Sequence, residues 1–148
     1  MRDANAAMKV LGQKLHLFNA DGASEIDAAF AEIDRQKLGS LLIGTDPSYG
    51  LVFRDRIIEL AARYRIPTMY DSRNYVDRGG LISYGSLLTD AWRQAGLYVG
   101  RILKGEKPAD LPVVQPTRFE TVINLKTARS IGLEVPAGVL ALSDDTID

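Results

Sequence analysis

The chain has 148 residues, a formal net charge of −1, 46% apolar and 25% charged residues, and no cysteine. This length suits one domain or two small lobes, and the charge argues against nucleic acid as a partner, because that would need a basic surface. The lack of cysteine excludes thiolate chemistry, disulfides and cysteine-bound zinc, and no stretch approaches the roughly 20 apolar residues of a membrane span.

The first half of the chain predicts several amphipathic helices. Good helix formers fill residues 3–11, and Gly12 ends that segment. Ser24 is placed as the N-cap of a helix that Gly39 ends, and a longer helix is predicted over 51–64. Helical spacing predicts that these two helices bury the following side chains: Ile26, Phe30, Ile33; Val52, Ile57, Leu60, Ala61.

Short apolar or alternating runs between these helices predict strands over 14–19, 40–44 and 66–71. Helices and strands therefore alternate, as they do in a parallel sheet with helices on its faces. The fold class predicted is α/β, with a flavodoxin-like rhythm.

The second half breaks this rhythm. After the polar loop SRNYVDRGG come a strand over 81–85 and a helix over 87–103. The glycines and alanines of that helix indicate a close neighbour, and Trp92 and Tyr98 are interpreted as packing residues. A strand over 119–125 and a helix over 126–131 follow, with Asn124 before the helix.

Polar side chains cluster in the loops that follow the second and third predicted strands. Ligands of open α/β sheets bind beyond the carboxyl ends of the strands, so these loops are the best candidate site. The candidate ligand-binding residues there are Asp46, Ser48, Tyr49, Tyr70, Asp71 and Arg73. The tyrosines offer apolar faces and the charged groups match a polar or zwitterionic molecule. An alternative is purely structural: Asp46 starts a helix and Asp71 caps a turn.

Motifs for catalysis are lacking in the sequence. The one histidine, His16, lies in a predicted strand, and no phosphate-binding or dinucleotide-binding glycine loop occurs. We therefore expect no cofactor, no metal and no enzymatic activity. The alternative is a small flavodoxin-like enzyme that uses Asp46 or Asp71. The charges at 54–56 are interpreted as a solvated helix face.

Three segments, in this order, resemble the substrate-binding proteins of bacterial ABC transporters, in particular the type associated with aromatic and branched amino acids. They are GGLISYG (79–85), GRILKG (100–105) and NLKTA (124–128), and the upstream segments EIDAAFAEI, LLIGTDP and LAARYRIPTMYD are similar to the same family. The resemblance covers essentially the whole chain. It implies a type I periplasmic binding protein: two α/β lobes that close on a solute at a hinge.

The resemblance also implies a division of the chain. Residues 1–75 and 112–148 correspond to the second lobe, a three-layer lobe built on a parallel sheet, and 76–111 to the hinge crossing and a helix that packs on the first lobe. Ser83 and Tyr84 lie at the hinge crossing and join the candidate site. The expected solute is a small molecule such as an amino acid, and the expected partner of the intact protein is the transporter permease.

Relatives are about twice as long, so we expect a truncated chain that lacks the first lobe. The surface left by that lobe is expected to drive homo-oligomer formation. The intact family member is expected in the periplasm, although the N-terminal segment MRDANAAMKVLGQKL shows no export signal.

Overall fold

A computed structural model describes residues 2–148, with Arg2 described in its backbone only. The chain divides into two compact units, one ending at Gln36 and the other covering Lys37–Asp148. The family resemblance implies a different division, into residues 1–75, 76–111 and 112–148, and this division stays a prediction. No helix of the described chain is long and apolar enough to cross a membrane.

The first unit contains two helices, α1 (Arg2–Val10) and α2 (Ala23–Arg35). Gly12, at φ 64°, follows α1 in the left-handed conformation that commonly ends a helix. The N-cap of α2 is Gly22 and not Ser24, because the extended backbone at Gly22 starts the helix two residues earlier. Glu25 then accepts a hydrogen bond from the backbone N–H of Asp21. The predicted buried stripe of α2 is confirmed.

The strand predicted over 14–19 was wrong. These residues form no strand or helix in the structure. Alternating Leu15 and Leu17 satisfy the period of a strand, but a strand also needs a neighbour whose backbone groups complete its hydrogen bonds. Sequence periodicity cannot supply that neighbour.

The second unit is built on one sheet of five strands in the order β1-β2-β3-β4-β5. The strands are β1 (Leu41–Leu42), β2 (Thr68–Tyr70), β3 (Ile82–Ser86), β4 (Phe119–Asn124) and β5 (Asp145–Ile147). Pairing is parallel except between β3 and β4, which are antiparallel. The α/β fold class is confirmed, with a mostly parallel sheet.

Six helices accompany this sheet: α3 (Pro47–Leu51), α4 (Arg54–Arg63), α5 (Arg73–Val76), α6 (Leu88–Leu103), α7 (Leu125–Ser130) and α8 (Ala137–Leu140). A 3₁₀ turn covers Pro108–Asp110. The single helix predicted over 51–64 is therefore two helices, with a break at Val52 and Phe53. Val52 is 70% exposed, so its predicted burial was wrong, whereas the other three residues of that stripe are buried.

The end of β4 fixes how the second unit is assembled. Asn124 caps α7: its side-chain oxygen accepts a hydrogen bond from the Thr127 N–H at 2.9 Å, and its amide donates to the Val76 carbonyl at 3.2 Å. The backbone N–H of Asn124 donates to the Leu81 carbonyl. One side chain thus joins the end of β4 to α5 and α7, and the helix begins at Leu125, one residue before its predicted start.

Candidate functional site

The carboxyl ends of β1, β2 and β3 lie at one edge of the sheet, where antiparallel β4 begins. The loop after β1 leads into α3, which Asp46 caps. Its carboxylate accepts the Ser48 N–H at 2.8 Å and also the Ser48 hydroxyl. These hydrogen bonds to Ser48 hold the pKa of Asp46 below its usual value. The helix start predicted at Asp46 is confirmed, and Asp46 still presents an exposed, ionised oxygen pair.

The loop after β2 leads into α5. Ser72, and not Asp71, is the N-cap, because the Ser72 hydroxyl accepts the Asn74 N–H at 3.3 Å. The structural alternative, in which Asp71 is a cap, is therefore wrong for α5, and the half-buried carboxylate of Asp71 lies at the sheet edge. The Asp71 backbone lies directly on β3: a Cβ atom built at Gly85 would stand 1.9 Å from the Asp71 carbonyl oxygen. Only glycine at position 85 lets this loop take its place.

Two tyrosines form the centre of this region. The rings of Tyr70 and Tyr75 are stacked, with centroids 4.5 Å apart and planes 18° apart, and both side chains are buried. Burial raises the pKa of Tyr75 to about 12, with the negative charge of Asp71 adding to the effect, Arg54 opposing it and Asp46 adding a smaller amount. The geometry places α3 beside this tyrosine, because a Cβ built at Gly50 would lie 3.9 Å from the Tyr75 oxygen.

Tyr75 and Arg54 are the residues that sequence reasoning missed. The interpretation of 54–56 as a solvated face was wrong for Arg54, whose side chain is only 20% exposed. Its nearest acidic partner is Asp55, at a long 3.4 Å. A useful signal for Tyr75 was present: an aromatic residue within the otherwise polar loop SRNYVDRGG needs a reason.

Arg73 faces a different set of groups. Its guanidinium lies 2.8 Å from Asp145 at the start of β5, 3.2 Å from Asp77 and 3.8 Å from Glu120 in β4. Three carboxylates thus compete for this one cation, which fastens α5 to the two strands beyond it. Its predicted role as a ligand-binding residue stays a prediction, and it would require one of these acids to give way.

The two remaining candidates lie on opposite faces of β3. Ser83 is fully buried, and within residues 2–148 its hydroxyl oxygen is the enclosed side-chain polar atom that has no hydrogen-bond partner. Tyr84 is half exposed and its ring stacks on Phe119, with centroids 5.6 Å apart. Tyr49 and Ser48 are half-buried in α3. The structure thus gathers Asp46, Ser48, Asp71 and Tyr70 at one edge, and directs Arg73 and Tyr84 elsewhere.

A second concave region lies away from this edge, along α6. A groove of about 560 Å³ runs between α6 and the extended segment 111–118. Tyr98 donates a hydrogen bond to the Pro112 carbonyl, which holds the segment against the helix. Trp92, interpreted from sequence as a packing residue, is 74% exposed, so that interpretation was wrong. Nothing in the described chain lies within 4 Å of a Cβ built at Gly96 or Gly100, so the close neighbour predicted there is not provided by the described residues.

Residues of the metal-binding types do not cluster in the part of the chain that the structure describes: no group of three or more His, Cys, Asp or Glu is placed to hold a metal ion. The sheet edge instead offers carboxylates, one arginine and aromatic surface. These groups suit hydrogen bonding and charge pairing with a small organic molecule.

Comparison with known proteins gives the family. The family described as ABC transporter substrate binding protein matches residues 1–147. The chain belongs to this family. The membership predicted from the three ordered segments is confirmed, whereas the aromatic or branched amino acid subtype stays a prediction. No curated protein matches the chain.

Solved structures agree with this assignment in their fold. A conserved domain protein from Vibrio cholerae shares 25% identity at a TM-score of 0.83. An ABC domain from Streptococcus pneumonia, solved in complex with L-Trp, shares 24% at 0.85. A substrate binding protein with adhesive properties from Clostridium difficile, in its ligand-free open form, shares 18% at 0.66.

In each case the match covers 99% of this chain and 48% or 49% of the other chain. This substrate-binding protein sequence therefore spans about half the length of the solved structures that it matches.

Proposed function

We propose that this chain binds a small solute at the carboxyl edge of its sheet, as one half of the recognition site of an ABC importer. The observation that carries the proposal is that α3 and the end of β2 meet at Tyr75: a Cβ built at Gly50 would lie 3.9 Å from the Tyr75 oxygen, and the ring of Tyr70, which precedes Asp71, stacks on Tyr75. The loop after β1, the start of α4 and the loop after β2 carry Asp46, Arg54 and Asp71, so both signs of charge occur near the edge where α/β sheets bind ligands. The family to which the chain belongs supports the same assignment.

The charges at this edge favour a zwitterionic solute. Asp46 and Asp71 provide anionic oxygens for an ammonium group, and Arg54 provides a cation for a carboxylate. Arg73 adds no uncommitted charge, because it is already surrounded by Asp145, Asp77 and Glu120. An amino acid carries both groups on one carbon. We propose an amino acid as the solute, and the L-Trp complex of the Streptococcus pneumonia protein makes tryptophan the first compound to test.

The proposal is tested by titrating the chain with each of the 20 L-amino acids in a calorimeter. Asp46→Asn and Asp71→Asn should each weaken binding about tenfold, because each removes one charge-assisted hydrogen bond. Asparagine is also a good N-cap, so α3 keeps its start when Asp46 is replaced. Asp110→Asn, in the exposed turn after α6, is the matched control and should change nothing. Equal affinity in all four proteins would contradict the site.

We also propose the partner and the compartment. In the intact protein the loaded site delivers its solute to the transporter permease, on the outer side of the cytoplasmic membrane, in the periplasm where one exists. The measurement is a pull-down of the permease by the solute-loaded protein, compared with the solute-free protein. Equal recovery in both states would contradict delivery by the loaded form.

For the chain as given, we propose that the exposed face of α6 makes a homo-oligomer. Its apolar side chains Trp92, Leu97, Val99 and Leu103 are at least half exposed, and its two glycines leave room for a close approach. Light scattering during size-exclusion chromatography should give a mass of at least twice 16.2 kDa. Trp92→Ser should return it to the monomer mass. A monomer with the native sequence would contradict this assignment.

A further inference from the structure

Tyr75 carries a hydroxyl group that the described chain leaves without a hydrogen-bond partner. Tyr75 is 2% exposed. Within residues 2–148, only Ser83 has a fully enclosed side-chain polar atom without a hydrogen-bond partner, so the Tyr75 oxygen is not fully enclosed. The Tyr75 hydroxyl therefore sits at the end of a buried ring and keeps a small opening to solvent. Unpartnered polar groups at such depth are uncommon, and phenylalanine would fill the same space without that cost.

The surroundings of this hydroxyl are those of the proposed solute site. A Cβ built at Gly50 in α3 would lie 3.9 Å from the Tyr75 oxygen. The charges of Asp71, Arg54 and Asp46 all act on the same group. The ring of Tyr70 stacks on the ring of Tyr75 and holds its orientation. The hydroxyl is thus held beside α3, the helix that Asp46 caps.

We propose that the Tyr75 hydroxyl binds the solute directly, by donating a hydrogen bond to its carboxylate beside Arg54. This assignment rests on the proposed solute-binding function and adds to it a contact and a selectivity. Because its pKa is raised to about 12, the hydroxyl keeps its proton at every physiological pH and remains a donor. Solutes without a carboxylate gain nothing from Tyr75, so the residue favours amino acids over the corresponding amines.

The direct test compares Tyr75→Phe with Tyr98→Phe by calorimetry. The probes are L-tryptophan and tryptamine, or the best-bound member of the 20 L-amino acids and its decarboxylated amine. Tyr75→Phe keeps the ring stack and should weaken amino acid binding about tenfold, the usual effect of one hydrogen bond to a charged group. Its affinity for the amine should stay at the wild-type value. Tyr98→Phe in α6 removes a hydroxyl that donates to the Pro112 carbonyl, away from the sheet edge, so it should leave the affinity for the amino acid and for the amine unchanged.

A second pair of variants tests the space in front of the hydroxyl. Gly50→Ala places a methyl group in contact with the Tyr75 oxygen and should weaken amino acid binding. Gly138→Ala, in the four-residue α8, adds a methyl with nothing within 4 Å and should leave binding unchanged. Both replacements favour the helix, so a lower melting temperature is expected for neither.

The outcomes distinguish a failure of solute binding from a failure of the Tyr75 contact alone. No binding of any probe by the wild-type chain contradicts solute binding, and the role of Tyr75 with it. Wild-type binding that Tyr75→Phe leaves unchanged overturns the Tyr75 contact alone. Equal loss for the amino acid and the amine overturns the contact with the carboxylate. Loss for the amino acid only, with an unchanged melting temperature, supports it.

Discussion

Helices α5 and α6 are consecutive helices of the chain, but α5 has buried side chains and α6 has none. The short α5 has four residues, of which Tyr75 and Val76 are buried, and it is tied to β4 and β5 by Arg73 and Asn124. The long α6 has 16 residues, and none of them is buried. Length and helix propensity therefore do not decide which helix is fixed in this molecule. Packing decides it, and the fixed helix is the one beside the candidate site.

This difference indicates different functions for the two regions. A binding site needs groups held within a fraction of an ångström, and α5 is fastened by hydrogen bonds, ion pairs and a tyrosine stack. The α6 region offers apolar surface and a groove without a covering element, which suits contact with another protein surface. Substitutions in the two helices should consequently have unequal effects, and the following experiments rank those effects from the largest to the smallest.

Gly85→Ala should have the largest effect on stability. The added Cβ would overlap the Asp71 carbonyl, and backbone cannot move aside cheaply. We expect the free energy of unfolding to fall by about 3 kcal/mol, the upper end for overpacking in a folded core. Chemical denaturation measures it. Gly96→Ala in α6 is the control and should be neutral or stabilising, since its Cβ meets nothing. A similar loss of unfolding free energy in both variants would contradict the difference between the two regions.

Truncation of buried and exposed side chains gives the next contrast. Val76→Ala in α5 removes two buried methyl groups and should lower the free energy of unfolding by about 2 kcal/mol. Trp92→Ala in α6 removes far more atoms, but from an exposed site, and should change it by less than about 0.5 kcal/mol. The reverse order, measured on the monomer, would show that α6 is packed and that α5 is not.

The ion pairs of Arg73 should contribute less. The Arg73 side chain is 36% exposed, so solvent screens its interactions with Asp145 and Asp77, and Arg73→Ala should cost about 1 kcal/mol or less. The pair formed by Arg101, in the last turn of α6, and Glu106 is more exposed, and Arg101→Ala should cost less still. Raising the salt concentration should shrink both differences. A penalty for Arg73→Ala that salt leaves unchanged would point to lost packing instead.

The smallest effect is expected in a titration at alkaline pH. The pKa of Tyr75 is raised to about 12 in the folded chain, above the ordinary value of 10. The unfolded chain therefore ionises first, so this contribution to stability is complete below pH 10 and is lost as the pH rises from 10 to 12. Absorbance at the phenolate band should show a tyrosine titrating near pH 12 that Tyr75→Phe removes. An unchanged titration curve in the variant would contradict the assignment.

Local patterns in the sequence predicted much of the second unit. Asn124 before α7, Asp46 before α3 and the apolar run that contains β1 depend on neighbours within a few residues, and the structure confirms all three. The family was also predictable, because three ordered motifs identify it jointly. Local signals are strong where a cap or a turn is made by the residues beside it.

Features that depend on distant partners were not predictable in the same way. Residues 14–19 alternate as a strand does, but strand formation depends on a neighbour that the segment does not find. Arg54 stands in a charged triplet on a helix, and nothing nearby in sequence reveals that its side chain is only 20% exposed. The same holds for Trp92, whose exposure is set by which surface covers α6. Each of these outcomes is decided by tertiary contacts.

The most direct test of solute binding at the sheet edge is an amide NMR titration of the chain with the best-bound amino acid. We predict that the largest shift changes fall on residues 45–50, on Arg54 and on residues 71–76, and that residues 88–103 change little. Largest changes along α6 and segment 111–118, with the sheet edge unmoved, would place the solute in the groove and contradict the assignment.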